Sequence, residues 1–192
     1  MTVIQGRVVL GRCPRLKKLI LTLTIIGLIS ALALAYIYQI TTPIIEEHQA
    51  LAKKEAVLNV LPKSDSYTEV EKEGIIFYEG NVKGEVAMSA SGGGFQGKIE
   101  LMIGANPFEG KIYRITILNH SETPGLGAKI NDEKFESNFT GKPFGAYWVV
   151  KQPVSNSLEV EAISGATISS QKVTDIVSEA VNKMKLAYGG GA

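Results

Sequence analysis

Cysteine and histidine are scarce in this chain of 192 residues, which has one cysteine, Cys13, and two histidines, His48 and His120. A single cysteine excludes a disulfide framework within the chain and any site built from several thiolates. Zinc and haem centres depend on cysteine and histidine ligands, so we expect no metal site. A strong net charge is also absent, since the formal value is +1 at pH 7. Without a basic field to hold a phosphate backbone, we expect no nucleic-acid partner.

The charged residues near the N-terminus are unevenly distributed, because a basic segment precedes a long uncharged, apolar segment. Residues 1–18 contain five bases and no acid, and the 27 residues Leu19–Ile45 contain no charged side chain. About 20 apolar residues in a helix cross a bilayer core, and basic residues flank such spans on the cytoplasmic side. We therefore expect a basic cytoplasmic N-terminus (1–18), a single transmembrane helix (19–42), a helical connector (43–65) and a domain on the outer, periplasmic side of the cytoplasmic membrane (66–192).

A cleaved signal peptide is the alternative for the same segment. Ala31-Leu32-Ala33 and Ala33-Leu34-Ala35 both have the small residues of a cleavage site after an apolar run. The uncharged stretch continues for ten further residues, to Ile45, which favours a retained anchor. Either interpretation places the rest of the chain outside the cytoplasm.

The exported part changes from helical to strand-like patterning. A helical pattern runs from Pro43 to about Leu61, where Pro62 ends it. Four strands are then predicted, at Gly74–Tyr78, Val82–Ala90, Ile99–Ile103 and Lys111–Asn119. They are followed by a helical turn at Asn131–Phe139, a strand at Ala146–Lys151 and an amphipathic helix at Ser169–Tyr188. Gly189–Gly191 end the last helix. This order predicts an α+β fold with helices packed on a twisted, mainly antiparallel sheet.

Gly92–Gly97 satisfies the spacing GxGxxG of dinucleotide-binding proteins. The residues after it alternate like a strand, whereas that fingerprint requires a helix whose first turn faces a pyrophosphate. We interpret the segment as a flexible hairpin loop that lies near a ligand. Farther along, we expect Tyr147 and Trp148 to fill the core. We assign no catalytic residue, because no Ser-His-Asp or Cys-His set can be defended.

Hydroxyl side chains cluster around the start of the last helix, at Ser164, Thr167, Ser169 and Ser170. One hydroxyl is enough to cap a helix by accepting an amide hydrogen of its first turn. The free amides and the dipole at a helix N-terminus also favour a phosphate. From the residues alone, a helix cap and a phosphate site explain the cluster equally well.

A second segment, His120–Gly127, follows a predicted strand. Its Pro-Gly pair explains a turn, but a turn does not require Glu122, Thr123 or the apolar Leu126. Backbone amides flanked by small residues can meet the polar edge of a planar ligand while Leu126 packs on its face.

The two segments together resemble the FMN-binding domain of the G subunit of the Rnf electron-transport complex and of the C subunit of the sodium-pumping NADH:quinone oxidoreductase. The family's motif, Asp-x-x-Ser/Thr-Gly-Ala-Thr/Ser, aligns with Glu161–Thr167, where glutamate replaces the aspartate. The resemblance implies that Thr167 carries FMN through a phosphoester bond. The other cofactor-binding residues that it implies are Ser164, Gly165 and Ala166 at the phosphate end, and Glu122, Thr123, Leu126 and Gly127 beside the flavin.

The resemblance also implies a function. The chain would be an electron-carrying subunit of a membrane-bound, ion-translocating ferredoxin:NAD oxidoreductase complex, rather than a stand-alone enzyme. Its partners would be the other subunits of the complex and, during maturation, a flavin transferase. The short length favours the Rnf subunit over the related quinone-reductase C subunit. Two further alternatives are a non-redox, membrane-anchored binding module and a periplasmic flavoprotein released by signal peptidase.

Overall fold

The computed structural model describes residues 14–151 and 154–189. The expectations for residues 1–13, which include Cys13, and for Gly190–Gly191 lie outside the described residues. The chain divides into two compact units, Met1–Gln49 and Ala50–Ala192, and the second contains all of the strands.

The first helix, α1, runs without interruption over Pro14–Val60 and contains Pro43. The sequence predicts a transmembrane helix over residues 19–42 and a helical connector over residues 43–65, and in the structure α1 runs through both ranges as far as Val60. Proline removes one backbone hydrogen bond from a helix, and here the helix continues on both sides of that loss. The apolar side chains between Leu19 and Ile40 are exposed, and this part of the helix is long and apolar enough to cross a membrane.

The main sheet has five antiparallel strands in the order β1-β2-β3-β4-β5. Their bounds are Tyr67–Lys72, Ile75–Gly80, Val86–Gly93, Lys98–Asn106 and Lys111–His120. Short helical turns follow at Gly127–Asn131, at α2 (Glu133–Glu136) and at Ser137–Phe139. A parallel pair, β6 (Trp148–Val150) and β7 (Glu159–Glu161), precedes the last helix, α3 (Thr167–Tyr188). The α+β fold with a mainly antiparallel sheet is therefore confirmed.

Three local predictions differ from the structure. The strand expected at Val82–Ala90 begins at Val86, because the chain turns first at Gly84, whose φ of 93° favours glycine. The sequence pattern does not predict the edge strand β1, since its residues are mostly polar and charged. Tyr147 is buried as expected, whereas Trp148 is 42% exposed, so its assignment to the core is wrong.

Both faces of the sheet are covered. On one face α3 packs through the stripe Val173, Ile176, Val177, Ala180, Val181 and Met184. On the other face, the end of α1 packs through Ala56, Val57 and Val60. These contacts explain why the compact unit begins at Ala50, before the boundary expected at residue 66: the last turns of α1 are part of the core.

Gly104 on β4 permits the close approach of α1. A Cβ atom added at Gly104 would collide with the backbone carbonyl group of Val60. Backbone atoms at the end of a packed helix cannot move aside as a flexible side chain can, so this glycine sets the distance between the helix and the sheet.

We predict that Gly104→Ala lowers the free energy of unfolding by about 1–3 kcal/mol, the usual cost of overpacking a core. Gly93→Ala on the neighbouring strand is the matched control, because a Cβ there has no atom within 4 Å. Urea denaturation followed by tryptophan fluorescence measures both variants. Equal stability of the two variants would show that Gly104 does not set this packing distance.

Candidate functional site

The N-terminus of α3 leaves backbone amides free. Its N-cap residue is Ala166, whose side chain has no hydrogen-bond acceptor. The first backbone hydrogen bond of the helix is donated by the Ser170 amide to the Ala166 carbonyl, at 3.0 Å. Within the described part of the chain, no hydrogen bond engages the amides of Thr167, Ile168 or Ser169. The positive end of a long helix therefore faces outward with three available donors.

None of the clustered hydroxyl groups caps this helix. The Ser170 hydroxyl donates to the Ala166 carbonyl at 3.0 Å and accepts the amide hydrogen of Ile163 at 3.0 Å, so it braces the turn that precedes the helix. The Ser169 hydroxyl donates to Glu122 at 2.6 Å. The interpretation of the cluster as a helix cap is therefore wrong, and the Thr167 hydroxyl has no protein partner among the described residues.

The two segments singled out in the sequence lie against each other. The chain leaves β7, turns at Gly165 with a φ of 80° and enters α3. A Cβ atom at Gly165 would lie 3.3 Å from Cδ2 of Leu126. The turn before α3 and the segment after β5 therefore form neighbouring walls of one site.

Glu122 joins these walls to the β3–β4 hairpin. Its side chain is buried, with 4% exposed, and its carboxylate accepts hydrogen bonds from the amides of Phe95 and Gln96 at 2.8 and 3.1 Å. The other oxygen accepts the Ser169 hydroxyl at 2.6 Å. One side chain thus connects three segments that are far apart in sequence.

Two glycines make room for this carboxylate. A Cβ atom at Gly127 would lie 2.6 Å from Glu122 Oε2 and 2.8 Å from Ser169 Oγ. A Cβ atom at Gly94 would collide with the other carboxylate oxygen. Neither glycine has a positive φ, so backbone conformation does not require glycine there. Glycine is needed at both positions because the Glu122 side chain lies too close for a Cβ atom.

Hydrogen bonds keep Glu122 ionised. Burial raises the pKa of its carboxyl group, but the Ser169 hydroxyl and the backbone amides that donate to the charged form outweigh burial, so the pKa lies below the ordinary glutamate value. A negative charge is therefore fixed in the wall of the site at neutral pH.

A groove with a volume of about 460 Å³ lies between these segments, within the size range of small-molecule sites. It brings together every cofactor-binding residue implied by the sequence except Ser164. The groove is lined by Phe95, Glu122, Thr123, Leu126, Gly127, Lys151, Gly165, Ala166, Thr167, Ile168 and Ser169.

Apolar and polar parts of the groove are distinct in character. Phe95, Leu126 and Ile168 are 62%, 49% and 53% exposed and line the same groove, and exposed apolar side chains that lie together mark binding sites. Thr167 is half-buried, and Lys151 is an exposed cation on the same groove. An apolar surface beside free amides and a cation suits a flat aromatic ligand with an anionic group.

Ser164 and Glu161 lie elsewhere. Both line a second groove of about 330 Å³, together with Lys129 and Phe135. Ser164 is exposed, and its separation from Thr167 follows from the turn at Gly165, which reverses the chain between them.

Sequence reasoning missed three residues of the first groove. Phe95 lies in the glycine-rich hairpin loop, which is expected near a ligand, although the pattern singles out no one residue of it. Ile168 directly follows the motif and could have been found from helical spacing, whereas Ser169 is already part of the hydroxyl cluster identified from the sequence. Lys151 ends a predicted strand, and no sequence signal links it to this groove.

Comparisons with known proteins agree with this geometry. The family model for the FMN-binding domain matches residues 94–182. The chain is 34% identical to the G subunit of the proton-translocating ferredoxin:NAD(+) oxidoreductase complex of Clostridium ljungdahlii, over 88% of this chain and 91% of that protein. It is also 34% identical to the G subunit of the ion-translocating oxidoreductase complex of Methanosarcina acetivorans, over 91% of this chain and 97% of that protein.

A solved structure shows the same fold. The crystal structure of NqrC from Shewanella oneidensis matches with a TM-score of 0.52 at 19% identity, covering 66% of this chain and 72% of that one. The FMN-binding domain and the extended similarity to the two G subunits establish the family. The chain belongs to the family of G subunits of ion-translocating (Rnf) oxidoreductase complexes.

Proposed function

We propose that this chain is the electron-carrying G subunit of a membrane-bound, ion-translocating ferredoxin:NAD oxidoreductase complex. Its FMN would be attached by a phosphoester to the Thr167 hydroxyl oxygen. The observation that carries this proposal is the groove in which the Thr167 hydroxyl, the free amides of α3 and three exposed apolar side chains meet.

The phosphate end of FMN fits the start of α3. The unpaired amides of Thr167, Ile168 and Ser169 can donate to phosphate oxygens, and the helix dipole adds a favourable field. Lys151 supplies a cation on the same groove. Gly165, which carries no side chain, allows the phosphate to approach the backbone.

The flavin ring fits the apolar part of the groove. Phe95, Leu126 and Ile168 can pack on an aromatic ring and exclude water from it. When bound, FMN supplies one- and two-electron redox chemistry, while the protein contributes binding, orientation and electrostatics.

Covalent attachment suits an exported flavin, because a dissociated cofactor outside the cytoplasm is diluted and no reservoir refills the site. In the attachment step, the Thr167 oxygen forms a bond to phosphorus, the hydroxyl proton is lost and the leaving group of the phosphoryl donor departs. We propose a flavin transferase as the partner for this step. The exposure of Glu161, Ser164 and Gly165 supports access of such an enzyme to the motif.

The remaining parts of the proposal concern location and assembly. We propose that residues 19–42 span the cytoplasmic membrane with the N-terminus inside, and that the flavin domain lies on the outer side. The basic residues before the span support this orientation. Similarity to G subunits of multi-subunit complexes supports other subunits as partners. The likeness to NqrC is one of fold, and it does not favour the quinone-reductase alternative.

We predict that Thr167→Val abolishes covalent flavin, because valine has nearly the same shape and no hydroxyl group. Thr167→Ser keeps the acceptor oxygen and should remain flavinylated. The measurement is flavin fluorescence of the protein band on a denaturing gel, after expression with export and with the flavin transferase. Undiminished fluorescence of the valine variant would remove Thr167 as the attachment site.

We predict opposite labelling of two single cysteines in right-side-out vesicles. The natural Cys13 should resist a membrane-impermeant maleimide, because it precedes the span. Ser157→Cys in a Cys13→Ser background should be labelled, because Ser157 is exposed on the flavin domain. Labelling of Cys13, together with protection of the cysteine introduced by Ser157→Cys, would reverse the proposed orientation.

A further inference from the structure

We propose that Glu122 is a positioning residue of the flavin groove whose uncompensated carboxylate charge lowers the reduction potential of the flavin held there. This inference rests on the proposed function and deepens it, since it assigns the group that tunes the cofactor. Glu122 would act through the groove wall rather than as a ligand of the ring.

The hydrogen bonds of Glu122 explain the positioning role. Its oxygens accept the amides of Phe95 and Gln96 and the hydroxyl of Ser169, at distances between 2.6 and 3.1 Å. Phe95 is 62% exposed, yet its backbone is held by a buried group, and Ser169 follows Thr167 by two residues. The carboxylate therefore fixes the aromatic side of the groove relative to its phosphate side.

The partners of Glu122 are all neutral. None of the ion pairs among the described residues involves Glu122, even though Lys151 lines the same groove. Amides and a hydroxyl stabilise a carboxylate without cancelling its charge. The wall of the groove therefore carries the negative charge of Glu122, which no ion pair among the described residues neutralises.

This charge has a definite consequence for a bound flavin. Reduction of a flavin held in this groove would add electrons to its ring, and an electron that arrives without a proton would add negative charge to a groove whose wall already carries the Glu122 carboxylate. Coulomb repulsion is stronger in a protein site than in bulk water, and it would disfavour that state. Removal of the carboxylate charge should therefore raise the midpoint potential.

Glu85 provides a matched control. It is also a buried glutamate, 2% exposed, and it accepts the Ser64 hydroxyl at 2.6 Å and the Lys63 amide at 3.2 Å. It lies before β3 and does not line the flavin groove. Glu85→Gln removes a buried charge of the same kind, with the same partner types, away from the flavin.

The experiment is a redox titration of the flavinylated chain carrying Glu122→Gln, Glu85→Gln or no substitution. We expect Glu122→Gln to raise the midpoint potential of the flavin. The expected rise is at least about 59 mV for one electron, which corresponds to a tenfold change in the ratio of oxidised to reduced flavin at a given potential. Glu85→Gln should leave the potential at the unsubstituted value. An unchanged potential in Glu122→Gln, or an equal shift in both variants, overturns the inference.

A second readout applies if Glu122→Gln protein lacks flavin. Amide hydrogen exchange at Phe95 and Gln96 should then be faster than in Glu85→Gln protein that has been prepared without flavin. Equal exchange at these amides overturns the positioning role. Absence of flavin from the unsubstituted chain is a different result, since it contradicts the proposed function itself.

Discussion

The packing of α3 on the sheet fixes the place at which this chain can hold a phosphate. Val173, Val177 and Val181 are almost completely buried, and burial of each valine side chain contributes about 1.5–3 kcal/mol. A helix held along such a stripe cannot slide or rotate without exposing it. Its first turn therefore presents Thr167 and the unpaired amides at one defined point, and the rest of the groove is built around that point.

The groove combines two opposite electrostatic demands. A phosphate requires positive potential, which the N-terminus of α3 and Lys151 supply. In the proposed account, the carboxylate of Glu122 supplies a negative charge in the wall of the same groove. The two can coexist because Glu122 is held by neutral donors, so that no ion pair with Lys151 cancels both fields.

The sequence is informative where the signal is local. The regular spacing of apolar residues predicts the helix α3, which the structure contains. The motif that ends at Thr167 predicts this residue as the flavin attachment point, and Thr167 lines the groove. The hydrogen bond between Ser169 and Glu122 could not be predicted, because it joins residues 47 positions apart. Strand β1 escapes prediction because an edge strand contributes few buried side chains. A proline within a helix usually kinks or ends it, so local propensity alone does not show that α1 continues through Pro43.

Peptide mapping of the protein from its native membrane tests the central claim most directly. Trypsin should release the peptide that ends at Lys172, and fragmentation in the mass spectrometer distinguishes Thr167 from the neighbouring serines. The account predicts that this peptide carries the mass of FMN less one water, localised to Thr167. An unmodified peptide from native membranes, or a flavin localised to another residue, would contradict it.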